Sequence, residues 1–531
     1  MSSVSIPYVS AQLVPGITGV SLERPRMLVV GTVPQSKNSI FDGDPYKLLS
    51  VSPLSSYESV PLKDLATTFG TGELYHRLKY AQFGVNKAYP IDILLVKNNT
   101  STAATTTITF ANNAVEKGTL SVDVFNGFEF SATVAYEAGA TPTALATAVV
   151  SQLNTGANKP FAAANVAGVV TLTWVDGFVS QSVPIHVVLK DAATTAVVSH
   201  VANVVPTQPG SDVFDAIGDT RYTSILWPEW LFNSVGVANS LLLDRFNTFN
   251  RILDGVVYTT ITESYSNILL NTQTLQGQPM SFWADRKVNG LFGASIGSNN
   301  KAMPDVRMAF VAGAIDRYRT EGADLTDIVS SANGLLDYTG GVALASLPYH
   351  NIPVPKTKPS NPLWYFDNAD QSSLNDFNLS TWGVNRAGVQ EITGRARTMW
   401  KVDAAGNENK TWSPLEHLWT SSVVREYQFL KVKQYLAKMR LTGGALVIGR
   451  SMTNATLLKE ELIGWYSELA KQAIVLDGGE YIASFAKKLT VSIVPEDQNV
   501  IIAGVYPIVT HDGAVYFTIQ TVVDYSQSAS V

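Results

Sequence analysis

The chain of 531 residues contains no cysteine. That removes disulfides, thiolate metal sites and cysteine nucleophiles together, and it fits a reducing compartment. Histidine is scarce. The six are His76, His186, His200, His350, His417 and His511, and no two stand at a metal-ligand spacing such as H-x-x-x-H. They read as surface or core residues rather than metal ligands. Charge is thin as well. Asp, Glu, Lys and Arg make up 15% of the chain and leave a net charge of −6, without the basic stripe that a nucleic-acid footprint needs. No apolar run approaches the ~20 residues that cross a bilayer. The opening MSSVSIPYVSAQLVPG has no basic start followed by an apolar stretch, so no export signal is expected. These absences together predict a soluble protein with no membrane insertion and no direct nucleic-acid contact.

Nucleotide and catalytic motifs are missing too. GLFGASIGSNNK (290–301) lacks G-K-[ST], and its glycines do not follow a strand as G-x-G-x-x-G, so it reads as a loop. FGTGEL (69–74) looks able to cradle a phosphate, but a turn at a helix start explains both glycines equally well. No catalytic, cofactor or metal residues are expected.

What is present is a folded chain, 46% hydrophobic and long enough for three or four domains. Residues 1–24 are polar and punctuated by Pro7, Pro15 and Gly16, and read as an arm. MLVVGT (27–32) has the continuous apolar pattern of a strand buried on both faces. Leu74, Leu78 and Ala81 share a helical face, and IDILLVK (91–97) is another strand, so 25–97 begins as β-α-β. At Asn98 the composition shifts: residues 98–206 hold only nine charged side chains. Here Leu120, Val122 and Val124 alternate, Asn126-Gly127 follows, and Phe128, Phe130, Val134 and Tyr136 come next, the pattern of a hairpin. TPTALATAVVSQLNTG reads as a helix, and VVTLTW and VPIHVVLK as strands, which makes 98–210 an inserted, mostly β domain. Over 211–346 the α/β rhythm returns, with strands SILW, VVYTTI and MSFWA and helices between them. Residues 347–375 form a proline-rich connector. In 376–513 two long helices carry the stripes Phe429, Val432, Leu436, Met439 and Leu458, Leu462, Trp465, Leu469, Ala473, and strands close the region.

Two features point to interaction rather than chemistry. The segment from Arg425 to Arg440 carries Arg425, Lys431, Lys433, Lys438 and Arg440 against one acid, Glu426. It is either a solvated face with a basic end that suits the helix dipole, or a docking surface for an acidic partner. The other feature is AVYFTIQTVVDY near the C-terminus. Val515, Phe517, Ile519, Val523 and Tyr525 share one face there, and Tyr516, Thr518, Gln520 and Asp524 the other. That strand belongs either to the chain's own core or to a neighbour's sheet.

Several stretches, in order along nearly the whole chain, resemble the tail sheath proteins of contractile bacteriophages, in the branch related to the Mu-like phages. They are IPYVSAQLVPGI, RMLVVGTVP, FGTGELYHRLK with IDILLVKN, the β-rich ITFANNAVEKGTLSVDVFNGFEFSATV, and GVNRAGVQEITGRARTMWKVDAAGNENKTWSPLEHLWTSSVVREYQFLKVKQYL. Glu73 stands where the family's Phe-Gly-x-Gly motif continues with Ser. The resemblance implies an α/β and α+β multidomain fold. Its mixed-sheet core is built from N- and C-terminal parts, with an α/β middle region and an inserted β domain facing outward. It implies a structural, non-enzymatic subunit that self-assembles as hexameric rings or a helical sheath around a tail tube. Baseplate and tail terminator proteins would be further partners, with assembly in the bacterial cytoplasm and residence in the virion tail. The arms would be 1–24, with Ile6, Tyr8, Val9, Ile17 and Val20, and 514–531, with Val515, Phe517, Ile519, Val523 and Tyr525. The tube-facing element would be the basic segment 425–440. Rival readings are a tailocin-like injection device, an α/β enzyme with a β accessory domain, and an adhesive or surface-layer protein. The enzyme would need titratable groups at the carboxyl ends of the 224–227, 256–261 and 280–284 strands, where the sequence offers only Asp285 and Glu263.

Overall fold

The structure is a computed structural model that describes residues 26–503 apart from several loops. The longest stretches outside the described residues are 1–25, 293–304, 316–365 and 504–531. Both proposed arms and the proline-rich stretch 347–362 fall there.

The fold is mixed α/β, built on a ten-stranded sheet. Its strands are β1 (Met27–Gly31), β2 (Tyr46–Val51), β3 (Ser59–Val60), β4 (Ile91–Val96), β12 (Ser224–Leu226), β13 (Val256–Glu263), β14 (Met280–Val288), β15 (Leu291–Phe292), β16 (Ser380–Val384) and β17 (Gln390–Thr393). Their order is β17-β16-β14-β13-β12-β1-β4-β2-β3, with β15 paired to β14. β1 is parallel to both β4 and β12. From β1 the chain runs out to β2 and β3 at one edge, comes back to β4 beside β1, and then crosses to β1's other side and winds away through β12, β13 and β14. The winding therefore reverses at the β1–β12 boundary.

Burial follows from that position. Every residue of β1 and β4 is buried, because helices cover both faces of the sheet. Met27 and Val29 pack with α1 (Leu65–Phe69) and α2 (Glu73–Gly84) on one face. Leu28 and Val30 pack on the other face with residues of α4 (Val213–Ile217), α5 (Val235–Arg245) and α6 (Tyr265–Thr272). As the spacing predicts, Leu74, Leu78 and Ala81 of α2 are buried. Gly31 lets α2 come this close: a Cβ there would lie 2.7 Å from Leu74 Cδ1 and 3.2 Å from Leu74 Cβ.

Between β4 and β12 lie two further sheets. One is β10 (Ile185–Leu189), β6 (Gly118–Val124) and β7 (Ser131–Tyr136). The other is β11 (Thr195–Val201), β5 (Thr105–Ala111), β9 (Val169–Trp174) and β8 (Phe161–Val166). β6 and β7 are the antiparallel pair expected from the alternation around Asn126-Gly127. The helix α3 (Pro142–Leu153) starts on a Thr141 cap whose Oγ1 accepts from Ala144 N, with proline in the first turn. It buries Leu145, Ala146, Val149 and Leu153. α3 also covers one edge of each sheet. Gln152 Oε1 accepts from Thr133 N of β7 at 2.8 Å, and Asn154, just past the helix, bonds both Ala163 N and Ala163 O of β8. These sheets meet the central one through Thr71 Oγ1, which donates to Lys159 O, and through the edge-on rings of His76 and Phe130.

The C-terminal part holds α7 (Asn368–Asp376), α8 (Leu415–Leu436), α9 (Ala455–Lys471) and α10 (Gly479–Lys488), with the short pairs β18 (Arg440–Leu441)/β19 (Met452–Thr453) and β20 (Val491–Val494)/β21 (Asp497–Ala503). α7 lies in the span read as connector. Asp367 caps it by accepting from Asp370 N. α9 buries Leu458, Leu462, Trp465 and Leu469, as the stripe predicts, while Ala473 lies outside the described residues; it adds Tyr466, which stacks on Phe485 at 4.0 Å. In α8 the described side chains that are buried are Leu415, Leu418, Val424, Tyr427, Gln428 and Leu430. Of the expected stripe, the Phe429 side chain lies outside the described residues, Val432 packs half-buried against the core, and Leu436 and Met439 are half-buried. α8 meets α9 where Gln428 Nε2 donates to Leu462 O.

Candidate functional site

Ligands in doubly wound sheets bind where the winding reverses, beyond the carboxyl ends of the strands. Here that place is filled from within. Arg77 of α2, 2% exposed, donates through Nη1 to Val30 O at the end of β1 and through Nη2 to Leu226 O at the end of β12. Burial pulls its pKa below the ordinary guanidinium range, and the Asp305 and Glu73 charges counteract it. Beside it, Asp305 accepts from Glu229 N at 3.0 Å and from Thr260 Oγ1 at 2.6 Å. The Glu229 carboxylate accepts from Thr262 N and Thr262 Oγ1. This group of ionisable residues is larger than Asp285 and Glu263 alone. Sequence reading missed it because its members come from elements far apart in the chain, as with Arg77 and Leu226, 149 residues apart. Its bonds run to strand-end carbonyls, a loop amide and strand hydroxyls. The arrangement fixes α2, the 229–234 turn and the Asp305 segment to the sheet.

The basic segment is only partly helical. α8 ends at Leu436, so Lys438 sits in the following turn and Arg440 in β18. Lys431 is committed: its Nζ lies 3.1 Å from Glu468 Oε2 and 5.2 Å from the Tyr427 ring centroid. Tyr427 O–H donates to the same oxygen at 2.5 Å. That bond, ahead of the nearby cations, holds the Glu468 carboxyl below its ordinary range. Partial burial opposes the charge on Lys431, but the bonds to Tyr427 and Glu468 outweigh it and raise its pKa. Lys433, Lys438 and Arg440 are exposed. The backbone N–H of Arg440 donates to Ser451 O, which brings the exposed Arg450 into the same neighbourhood. Arg450 was missed because nothing in the sequence signals that β18 pairs with β19. The Arg425 side chain lies outside the described residues, as do Ile6, Tyr8, Val9, Ile17, Val20, Val515, Phe517, Ile519, Val523 and Tyr525.

No protein-family model and no curated protein sequence matches the chain. Among solved structures, it is similar to a sheath tail protein of Listeria innocua at 9% identity, over 93% of this chain and 94% of that one, with a TM-score of 0.41. It is also similar to the helical sheath of the anti-feeding prophage in its contracted state at 8% identity, over 99% of this chain and 100% of that one, with a TM-score of 0.41. At that score the correspondence is one of loose chain path and identifies no function by itself.

Proposed function

We propose that the protein is the sheath subunit of a contractile phage tail, of the Mu-like branch. It polymerises around a tail tube and contracts to drive the tube through a host envelope, with baseplate and terminator proteins at the sheath's ends. The observation that carries this reading is the ordered set of sheath-like stretches along nearly the whole chain, from IPYVSAQLVPGI to VVREYQFLKVKQYL. On this reading 1–24 and 514–531 are intersubunit arms, 98–210 is the outward insertion, and 376–513 is the C-terminal core.

The geometry supports a non-enzymatic part. Arg77 occupies the crevice that an α/β enzyme would use, and it is tied to two strand ends. The C-terminal end supports strand exchange. Among the described residues, β20 and β21 form a sheet of two strands, packed through Val491 on the core, just before the strand-patterned 515–525, and so short a sheet gains from a further strand. An added strand of about six residues gains about 1 kcal/mol per hydrogen bond and roughly 1.5–3 kcal/mol for each of two or three buried side chains, against roughly 1–2 kcal/mol per residue ordered. These contributions nearly cancel. One donated strand is a weak link, and many in an array are strong through effective concentration. Such a joint suits a subunit that stays monomeric until templated.

The test is negative-stain electron microscopy of the purified protein together with a 514–531 deletion. The full chain should form rings or striated hollow tubes. The deletion should remain a folded monomer that does not. A truncated chain that builds normal sheath would overturn the arm assignment, and an α/β monomer under all conditions would overturn the sheath reading.

A further inference from the structure

Arg26 is the first described residue after the N-terminal segment, and it is held in two ways at once. Its carbonyl accepts from Thr223 N at 2.9 Å and Thr223 Oγ1 at 3.1 Å. Its Nη1 lies 2.8 Å from Asp92 Oδ2. Asp92, with a side chain only 3% exposed, is a hub. Its Oδ2 also accepts from Tyr222 O–H at 2.9 Å, and its Oδ1 from Ser50 Oγ at 2.6 Å. The four residues belong to four neighbouring strands of the central sheet: Arg26 enters β1, Asp92 is on β4, Ser50 on β2, and Tyr222 leads into β12. One buried carboxylate thus stitches these strands together at the end where the N-terminal segment enters.

The strand behind this hub is not an edge. β1 is hydrogen-bonded to β4 along Met27–Gly31 and to β12 along Met27–Val29. Tension applied to Arg26 along the strand loads both ladders in shear, all bonds together, instead of peeling one bond at a time. We propose that Arg26, Asp92, Tyr222 and Ser50 are a mechanical anchor that keeps β1 in the sheet when the N-terminal arm is pulled. This rests on the reading of 1–24 as an intersubunit arm. It goes beyond that reading by saying where the load enters the subunit and which side chains resist it.

The absence of cysteine makes engineered cysteines unique handles. The full chain carrying Ser2→Cys and Asn271→Cys, the latter exposed on α6, is held at constant force, and the time to withdrawal of β1 is recorded. Arg26→Met should shorten that time about tenfold, the factor expected from losing one charge-assisted hydrogen bond. Arg26→Lys should restore much of it. Although the Arg26 side chain is 40% exposed, Asp92 is buried, so Arg26→Met also leaves a buried carboxylate without its cation and should lower the unloaded thermal midpoint by a few degrees. Asp92→Asn should shorten the withdrawal time further, and Arg26→Met remains decisive if Asp92→Asn fails to fold. An unchanged withdrawal time in Arg26→Met, or one shortened no more than by an equally destabilising substitution in the α8–α9 pair, would overturn the anchor. Deleting 1–24 tests the arm separately. If that deletion assembles normally the arm reading fails, whereas a failed anchor leaves the deletion phenotype intact.

Discussion

At the scale of the residue, the least expected finding is how much ionisable chemistry α2 hides. The sequence shows Leu74, Leu78 and Ala81 as one face, and they are buried. It does not show that Glu73, His76 and Arg77 are buried too, because what Arg77 bonds, and the Phe130 ring that His76 meets, are distant in the chain. Burial, with Lys79 adding to it, lowers the His76 pKa to about 3. The unfolded chain keeps an ordinary value near 6.5, so below that pH the unfolded state binds a proton that the folded state refuses. Stability from this site is complete above pH 6.5 and is lost as pH falls toward 3. Equilibrium denaturation at pH 7 and pH 4.5 should show the loss, and His76→Phe should flatten the slope between them. An equally steep slope in the variant would assign the acid sensitivity elsewhere. Arg77→Met removes the cation from beside Asp305 and Glu73 and leaves Val30 O and Leu226 O without their donor. A loss of about 3–5 kcal/mol in denaturant titrations is expected, the range for breaking a buried charged network.

At the scale of the element, strands and helices with one dominant partner were legible, and those whose packing is set by distant chain were not. β1, β4, β9 and α3 stand where the sequence reads three strands and a helix. α8 buries Gln428 as well as apolar side chains, because its Nε2 finds the Leu462 carbonyl of α9, and that pairing leaves no local trace in the sequence. The closure of the inserted sheets was also invisible: nothing in the sequence says that Gln152 and Asn154 serve the edges of β7 and β8. Unpaired edges invite pairing with other chains, and Asn154 answers as a strand would, giving one donor and one acceptor to Ala163. Asn154→Ala should cost about 1–3 kcal/mol and raise self-association in light scattering at high concentration. Gln152→Ala, which loses the single bond to Thr133 N, should do less. If Asn154→Ala scatters no more than the parent, edge protection is not its role.

At the scale of the whole molecule, the β-α-β rhythm announced a parallel sheet, but not that strands from 27 to 393 join in a single one. The sheet spans two stretches of sequence separated by the β5–β11 insertion, and pairings such as β1 with β12 leave no local trace. The basic segment changes meaning in the same way. Read as one helix, it offers five equivalent cations. In the fold Lys431 is spent on Glu468 and Tyr427, while Lys433, Lys438 and Arg440 remain exposed with Arg450 nearby. If the sheath docks on an acidic tube through this patch, the two groups must behave differently. Reversing Lys433, Lys438 and Arg440 to Glu should abolish templated assembly on tubes and leave the monomer's stability nearly unchanged, since exposed charges contribute little to folding. Lys431→Met should do the opposite, lowering the thermal midpoint slightly and sparing templating. Assembly of the parent should weaken between about 0.05 and 0.5 M salt as screening shortens the reach of these charges. The triple reversal sets like charges against the tube, so any residual binding should instead strengthen as salt screens the repulsion. Triple-variant subunits that coat tubes at the parent's yield and with its salt dependence would move the tube-facing surface away from this end of α8.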